Sequence, residues 1–278
     1  MRSMTRPVLA VALTTVAFAV TTAIPPAAIC QPKAAAPVVR FTPPPTATPV
    51  AEVDLAGAVA AGVGAAGGRI TLGLSVLDLT TGRLAGNGGD RPFFSASISK
   101  MIVAVDVLSR EVSAADRDRV WRALSASDDT AMNALWSLHD GNGAIGRVAR
   151  LAGLTGTSAP KDPAEWGETT VTSDDAVRLQ AYIQSSPARD FIHAALAAAP
   201  DTAADGFDQD FGLNGPGLDA FGKQAWMFYR PNAVYLHSAG VLSGRYAIAL
   251  LSIQRGRSAA GAKEQVNAIA GAVAAALG

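Results

Sequence analysis

Ser97-Ile-Ser-Lys100 carries a hydroxyl and an amine three residues apart, which on a helix puts them one turn apart on the same face. Lys100 stands among Ile98, Met101, Ile102 and Val103. An amine in apolar surroundings is driven towards its neutral form, and a neutral amine takes the proton from a serine hydroxyl, so the pair suits nucleophilic acyl transfer. With Ser97 in the first turn, helix-terminal amides would favour a developing oxyanion nearby. The plain alternative is a serine at a helix start and a lysine snorkelling to solvent. A second match, Ser158-Ala-Pro-Lys161, contains a proline and lies in a loop, so it cannot make the same helical pair.

Two more segments carry chemistry-capable side chains. Ser125-Ala-Ser-Asp-Asp-Thr-Ala-Met-Asn133 reads on its own as a serine cap with two acids in the first helical turn. Phe221-Gly-Lys-Gln-Ala-Trp-Met227 reads as a strand with a lysine on an exposed edge. Other motifs fail on context. Gly141-Asn-Gly-Ala-Ile-Gly146 has the letters of a dinucleotide fingerprint but follows a helix, which makes it a helix–helix turn. Gly217 to Lys223 imitates a phosphate loop, but Gln224 stands where a magnesium-binding hydroxyl belongs. His139, His193 and His237 are scattered, so a transition-metal site has little support. A G-x-S-x-G elbow is absent.

The elements that must position these residues follow from hydrophobic period. Residues 51–66 are helix-compatible. Ile70 to Asp78 alternates as a strand, and Thr80-Thr-Gly-Arg83 turns into a second short strand. Ala96 to Arg110 is apolar nearly all round, which predicts a helix buried inside the molecule. Helical patterns recur over 128–138, 145–151, 173–184 and 188–199. Strands are expected at 220–227, 234–242 and 245–254, with a closing helix over 263–277. Strands at both ends of the chain and helices between them predict an α+β fold: an antiparallel sheet assembled from the termini, plus a helical lobe.

Of the 278 residues, 23 are basic and 23 acidic. Every acid lies after residue 50, whereas Arg2, Arg6, Lys33 and Arg40 precede it, so the remainder holds 19 basic against 23 acidic groups. That balance argues against nucleic acid as a partner. The 228 residues after position 50 suffice for one substantial core. Two arginines in Met1 to Arg6, followed by an uncharged run from Pro7 to Ile24 and then Pro25-Pro26, have the order of an export signal. Residues 1–30 are read as that signal. Cys30, the single cysteine, stands where a bacterial lipoprotein would carry its lipid, but Ile29 before it departs from the usual small residue. Residues 31–50, with six prolines, form an extended tether, and the domain spans 51–278.

Taken together, Phe94-Ser-Ala-Ser-Ile-Ser-Lys100, Ser127-Asp-Asp-Thr-Ala-Met-Asn133 and Lys223-Gln-Ala-Trp-Met227, behind the hairpin Leu72 to Arg83, resemble the serine β-lactamase and penicillin-binding protein superfamily, in its class A-like branch. The resemblance runs over nearly the whole domain. It implies a five-stranded antiparallel sheet flanked by terminal helices, with a helical lobe. It also implies that Ser97 attacks an amide or β-lactam carbonyl and Lys100 acts as base, while Ser127 relays a proton to the leaving nitrogen. Asp129, Lys223, Gln224 and Trp226 would bind substrate, Lys223 holding a carboxylate and biasing the site positive. The backbone N–H groups of Ser97 and Trp226 would form the oxyanion hole. No cofactor or metal is implied, and the chain is expected to act as a monomer on a small-molecule or peptidoglycan-type substrate.

The sequence departs from the family in four ways, the first being that only 30 positions separate Ser97 from Ser127, which implies a trimmed helical lobe and a more open cleft. Asp129 replaces Asn, so it accepts but cannot donate a hydrogen bond, and it would pair with Lys100 and oppose the effect of burial on that amine. Gln224-Ala225 replaces Thr-Gly, adding a methyl group where substrate approaches. The E-x-x-L-N motif of deacylation is missing, and Glu165 and Glu168 in the corresponding stretch read as solvated loop acids. Two functions therefore stand side by side: an exported serine hydrolase working through an acyl-enzyme, and a catalytically silent envelope protein that binds a cell-wall ligand. A structural envelope lipoprotein is a third.

Overall fold

A computed structural model describes residues 52–67, 70–229 and 232–278. The export run, Cys30 and the tether lie outside the described residues. Five strands form one antiparallel sheet: β1 (Ile70–Asp78), β2 (Leu84–Asn87), β5 (Ala220–Tyr229), β6 (Ala233–Leu242) and β7 (Tyr246–Arg255), in the order β2-β1-β7-β6-β5. Strands from the two ends of the chain thus meet at the β1–β7 pair. The period-2 pattern of β7 divides its side chains between two cores. Tyr246, Ile248 and Leu250 pack with α1 (Leu55–Ala66) and α8 (Ala259–Leu277), while Ala247, Ala249 and Leu251 face the helical lobe.

The lobe is built around α2 (Ser99–Leu108), whose residues from Met101 to Val107 are all buried. A helix without a polar stripe has no solvent face to offer, so α3 (Ala114–Ser125), α4 (Asp129–Leu138), α5 (Gly141–Ala152), α6 (Ser173–Ser185) and α7 (Arg189–Ala197) gather around it. A small second sheet pairs β3 (Phe93–Phe94) with β4 (Thr170–Val171), tying the chain just before Ser97 to the segment that follows Glu168.

Two sequence expectations are corrected. The period pattern did not predict α3, because its apolar stripe is only Val120, Ala123 and Leu124 in a run of alternating Asp and Arg. Gly141 to Gly146 is the opening of α5, capped by Asp140 Oδ1 accepting from Gly143 N at 3.1 Å, and not a turn. Gly141 is needed there because a Cβ would lie 2.3 Å from the Trp136 ring.

Candidate active site

Ser97 sits in a 3-10 turn, Ala96–Ile98, that leads into α2 and brings Lys100 one turn further along. The turn begins with a left-handed residue, Ala96 at φ 43°. Ser127, between α3 and α4, is left-handed too, at φ 54°. Such backbone is costly for residues with a Cβ and persists only where packing dictates it. Of the four non-glycine residues in this region among the described residues, these two flank the same pair of hydroxyls. The serine cap expected for α4 is corrected: Asp128 caps it, Oδ1 accepting from Ala131 N at 3.0 Å, which leaves Ser127 free to turn inward.

The four expected groups converge. Ser127 Oγ donates to Ser97 Oγ at 3.0 Å and accepts from Lys223 Nζ at 2.9 Å and Lys100 Nζ at 3.1 Å, which uses its full hydrogen-bonding capacity. Lys100 also donates to Ser127 O and to Asp129 Oδ1, both at 2.5 Å, so all three of its ammonium hydrogens have acceptors. Lys223 donates its other bond to Gln224 O at 2.8 Å. Both lysines are only 1% exposed, and no carboxylate touches Lys223. Burial lowers the Lys100 pKa against the pull of Asp129. It lowers that of Lys223 much further, with the neighbouring Lys100 charge adding to the effect. The expected Lys100–Ser97 contact is thus replaced by a route through Ser127.

Alternation along β5 separates the other expected residues. Lys223, Ala225, Met227 and Tyr229 share one face, and Gln224 and Trp226 the other. Gln224 donates away from the serines, to Phe211 O at 3.3 Å and Ser238 Oγ at 3.2 Å, so its expected role in holding substrate is corrected. Ala225 is fully buried in the lobe core, and its methyl group does not narrow the cleft. Trp226 does reach the cleft, stacked on Phe207 at 4.6 Å with its Nε1 donating to Asp205 Oδ2 at 3.0 Å.

Above the serines lies a cleft of about 340 Å³ lined by Ser97, Asp129, Glu165, Glu168, Asp205 and the rings of Trp166, Trp226 and Tyr229. Lys223 is beneath it rather than on its wall, which corrects the expectation of a positively biased site. Glu165 and Glu168, expected as solvated loop acids, both face this space. Trp166 Nε1 donates to Asn133 Oδ1 at 2.7 Å, and Tyr229 OH donates to Glu168 Oε1 at 2.7 Å, so α4 and β5 both hold the 165–168 loop. The loop comes close to the nucleophile turn: a Cβ on Gly167 would stand 3.9 Å from Ala96 Cα. Trp166 and Tyr229 gave no sequence signal, since a lone aromatic in a loop or on a strand has no period to mark it.

The chain has the fold of the class A serine β-lactamases. It superposes on a class A β-lactamase from Bacteroides cellulosilyticus with a TM-score of 0.66 over 81% of this chain and 99% of that one, at 15% identity. A β-lactamase from Xanthomonas campestris pv. campestris gives 0.62 over 80% and 97%, at 19% identity. In sequence the chain is similar to proteins of Mycobacterium bovis and Mycobacterium tuberculosis that bear the name "Putative lipoprotein LppW", 32% identical over 201 residues. The match covers 66% of this chain and 63% of those proteins, less than two thirds of their length. No protein-family model matches the sequence.

Proposed function

We propose that the domain spanning residues 51–278 forms an acyl-enzyme at Ser97 with amide or ester substrates, including β-lactams and peptidoglycan-type peptides. The observation that carries this reading is the continuous hydrogen-bonded line from Ser97 Oγ through Ser127 Oγ to two buried lysine amines. Lys223 is the proton acceptor in this scheme, because burial and the adjacent Lys100 favour its neutral form, whereas Lys100 is depressed less and donates to Asp129. Rotation of the two hydroxyls lets Ser97 give its proton to Ser127 as Ser127 gives its own to Lys223, while Ser97 Oγ bonds to the carbonyl carbon. The reverse transfer delivers a proton to the leaving nitrogen. The backbone N–H groups of Ser97 and Trp226 receive the developing oxyanion.

A second reading, a silent binding protein with the same cleft, is favoured by one observation: the Lys100–Asp129 pair at 2.5 Å removes the residue that the fold would otherwise use as base. For either function we propose export to the cell envelope through residues 1–30, with Cys30 as a lipid attachment point. The order of the leader and the lipoprotein name of the mycobacterial relatives support this placement. Intact-mass spectrometry of the full-length protein incubated with penicillins and cephalosporins tests the choice, with Ser97→Ala alongside. Catalysis predicts an adduct, or hydrolysed drug, that disappears in the variant. Neither product with any compound would leave the silent binding protein.

A further inference from the structure

We infer that this cleft selects, among acyl chains, those carrying a positive charge, an ammonium on an aliphatic stem, over those carrying a negative one. The inference deepens the proposed function, resting on the reading of the cleft above Ser97 as the substrate site. Among the described residues its walls present four carboxylates, Asp129, Glu165, Glu168 and Asp205, and no Lys, Arg or His. Lys100 pairs directly with Asp129. Elsewhere among the described residues Arg122 bonds Asp118 and Asp128, and Lys263 bonds Asp208. Glu168 and Asp205 accept from neutral donors, the Tyr229 hydroxyl and the Trp226 indole, which orient the carboxylates without cancelling their charge. The exposed Glu165 carboxylate makes no hydrogen bond or ion pair among the described residues.

An acyl chain ending in a carboxylate would face like charge, and Lys223, bonded to Ser127 Oγ and Gln224 O, lies buried under Ser127. A cationic acyl chain meets opposite charge instead. The second, independent observation is apolar. Trp166, Trp226 and Tyr229 line the same space, giving a methylene stem apolar surface to cover. Among the described residues no three of His, Cys, Asp and Glu converge closely enough to hold a metal ion. The negative charge is spread along the walls, which suits an organic cation several bonds long better than a point ion.

The test uses full-length Ser97→Ala protein, so that binding is read without turnover. N-acetyl-lysine methylamide, its neutral norleucine counterpart and N-acetyl-glutamate methylamide are titrated at millimolar concentration while the tryptophan indole N–H resonances are followed by NMR. The lysine compound is expected to bind at least about tenfold more tightly than the glutamate compound, with norleucine between and the gap shrinking as salt is raised. Glu165→Gln narrows the gap and Glu165→Arg closes or reverses it. Equal or tighter binding of the glutamate compound, or no indole shift with any of the three, overturns the inference. Adduct formation by the unmodified protein is scored separately. A charge preference without acylation would remove the enzyme and keep the cation cleft, and acylation without a charge preference would do the opposite.

Discussion

At the floor of the cleft two lysines and two serines are packed with almost no exposure, whereas the walls above carry carboxylates and aromatic rings that face solvent. The floor holds its charges against the cost of burial and two of its residues, Ala96 and Ser127, in left-handed backbone. Two of the wall carboxylates, Glu165 and Glu168, are held at little cost, in a loop secured by two side-chain hydrogen bonds. Under the proposed function the difference amounts to a division of labour, with reactivity set below, at the expense of stability, and selectivity set above, almost independently of it.

Four measurements press on that division. The largest effect is expected from Ser97→Ala, which should remove acylation by roughly a thousandfold or more while leaving the melting temperature close to that of the unmodified protein. A variant that still acylates would show that the floor is not the reactive region. Next, Lys223→Met should lower the acylation rate by about a hundredfold and yet raise the melting temperature at neutral pH by roughly a few degrees, because an apolar side chain replaces a buried amine. The sign follows from linkage. The folded-state pKa of Lys223 is depressed, so below the ordinary lysine value the unfolded chain binds the extra proton and the native state loses stability. A lower melting temperature would mean that the amine contributes more through its bonds to Ser127 and Gln224 than burial takes away.

The underside of the floor supplies a pH test. His237, opposite Ala225 in the β5–β6 register, is fully buried between Phe94 O, 2.9 Å from its Nε2, and Ser252 N, which donates to its Nδ1 at 3.1 Å. That pattern fits a neutral ring, and burial pushes its pKa down to about 4. Its contribution is complete above pH 6.5 and is lost as pH falls towards 4, up to about 3 kcal/mol, because the unfolded chain protonates first. Urea unfolding at several pH values, compared with His237→Gln, should show this slope flattened in the variant. The smallest effect is expected above: Glu165→Gln should change unfolding free energy by less than about 0.5 kcal/mol, the ordinary limit for an exposed residue without partners. A large loss of stability there would break the separation of walls from floor.

Much of the floor was legible in advance because its parts are local. Ser97 and Lys100 are a helix spacing, Ser127 precedes a helix start, and Lys223 lies in an alternating strand. The order of strands and helices likewise implied a sheet closed by the two chain ends. What each residue touches was less legible. Gln224 and Ala225 adjoin Lys223 in sequence, but Gln224 points to the opposite face of β5 and the Ala225 methyl group into the lobe core, away from the cleft. Asp129 was read correctly as a partner of Lys100. The line from Ser97 through Ser127 to Lys223 could not be read, since it depends on the angle between two helices and an edge strand.

Sequence by itself determined the fold class, the buried central helix and which hydroxyl and amine side chains were candidates for the site, because those follow from hydrophobic period and from side-chain chemistry at short range. Tertiary structure alone decided the sign of the cleft. Asp129, Glu165, Glu168 and Asp205 are spread over nearly eighty residues in a domain of almost balanced charge, so their sum is invisible until packing sets them around one space. Charge adds by distance in space rather than along the chain, and distance is what folding supplies.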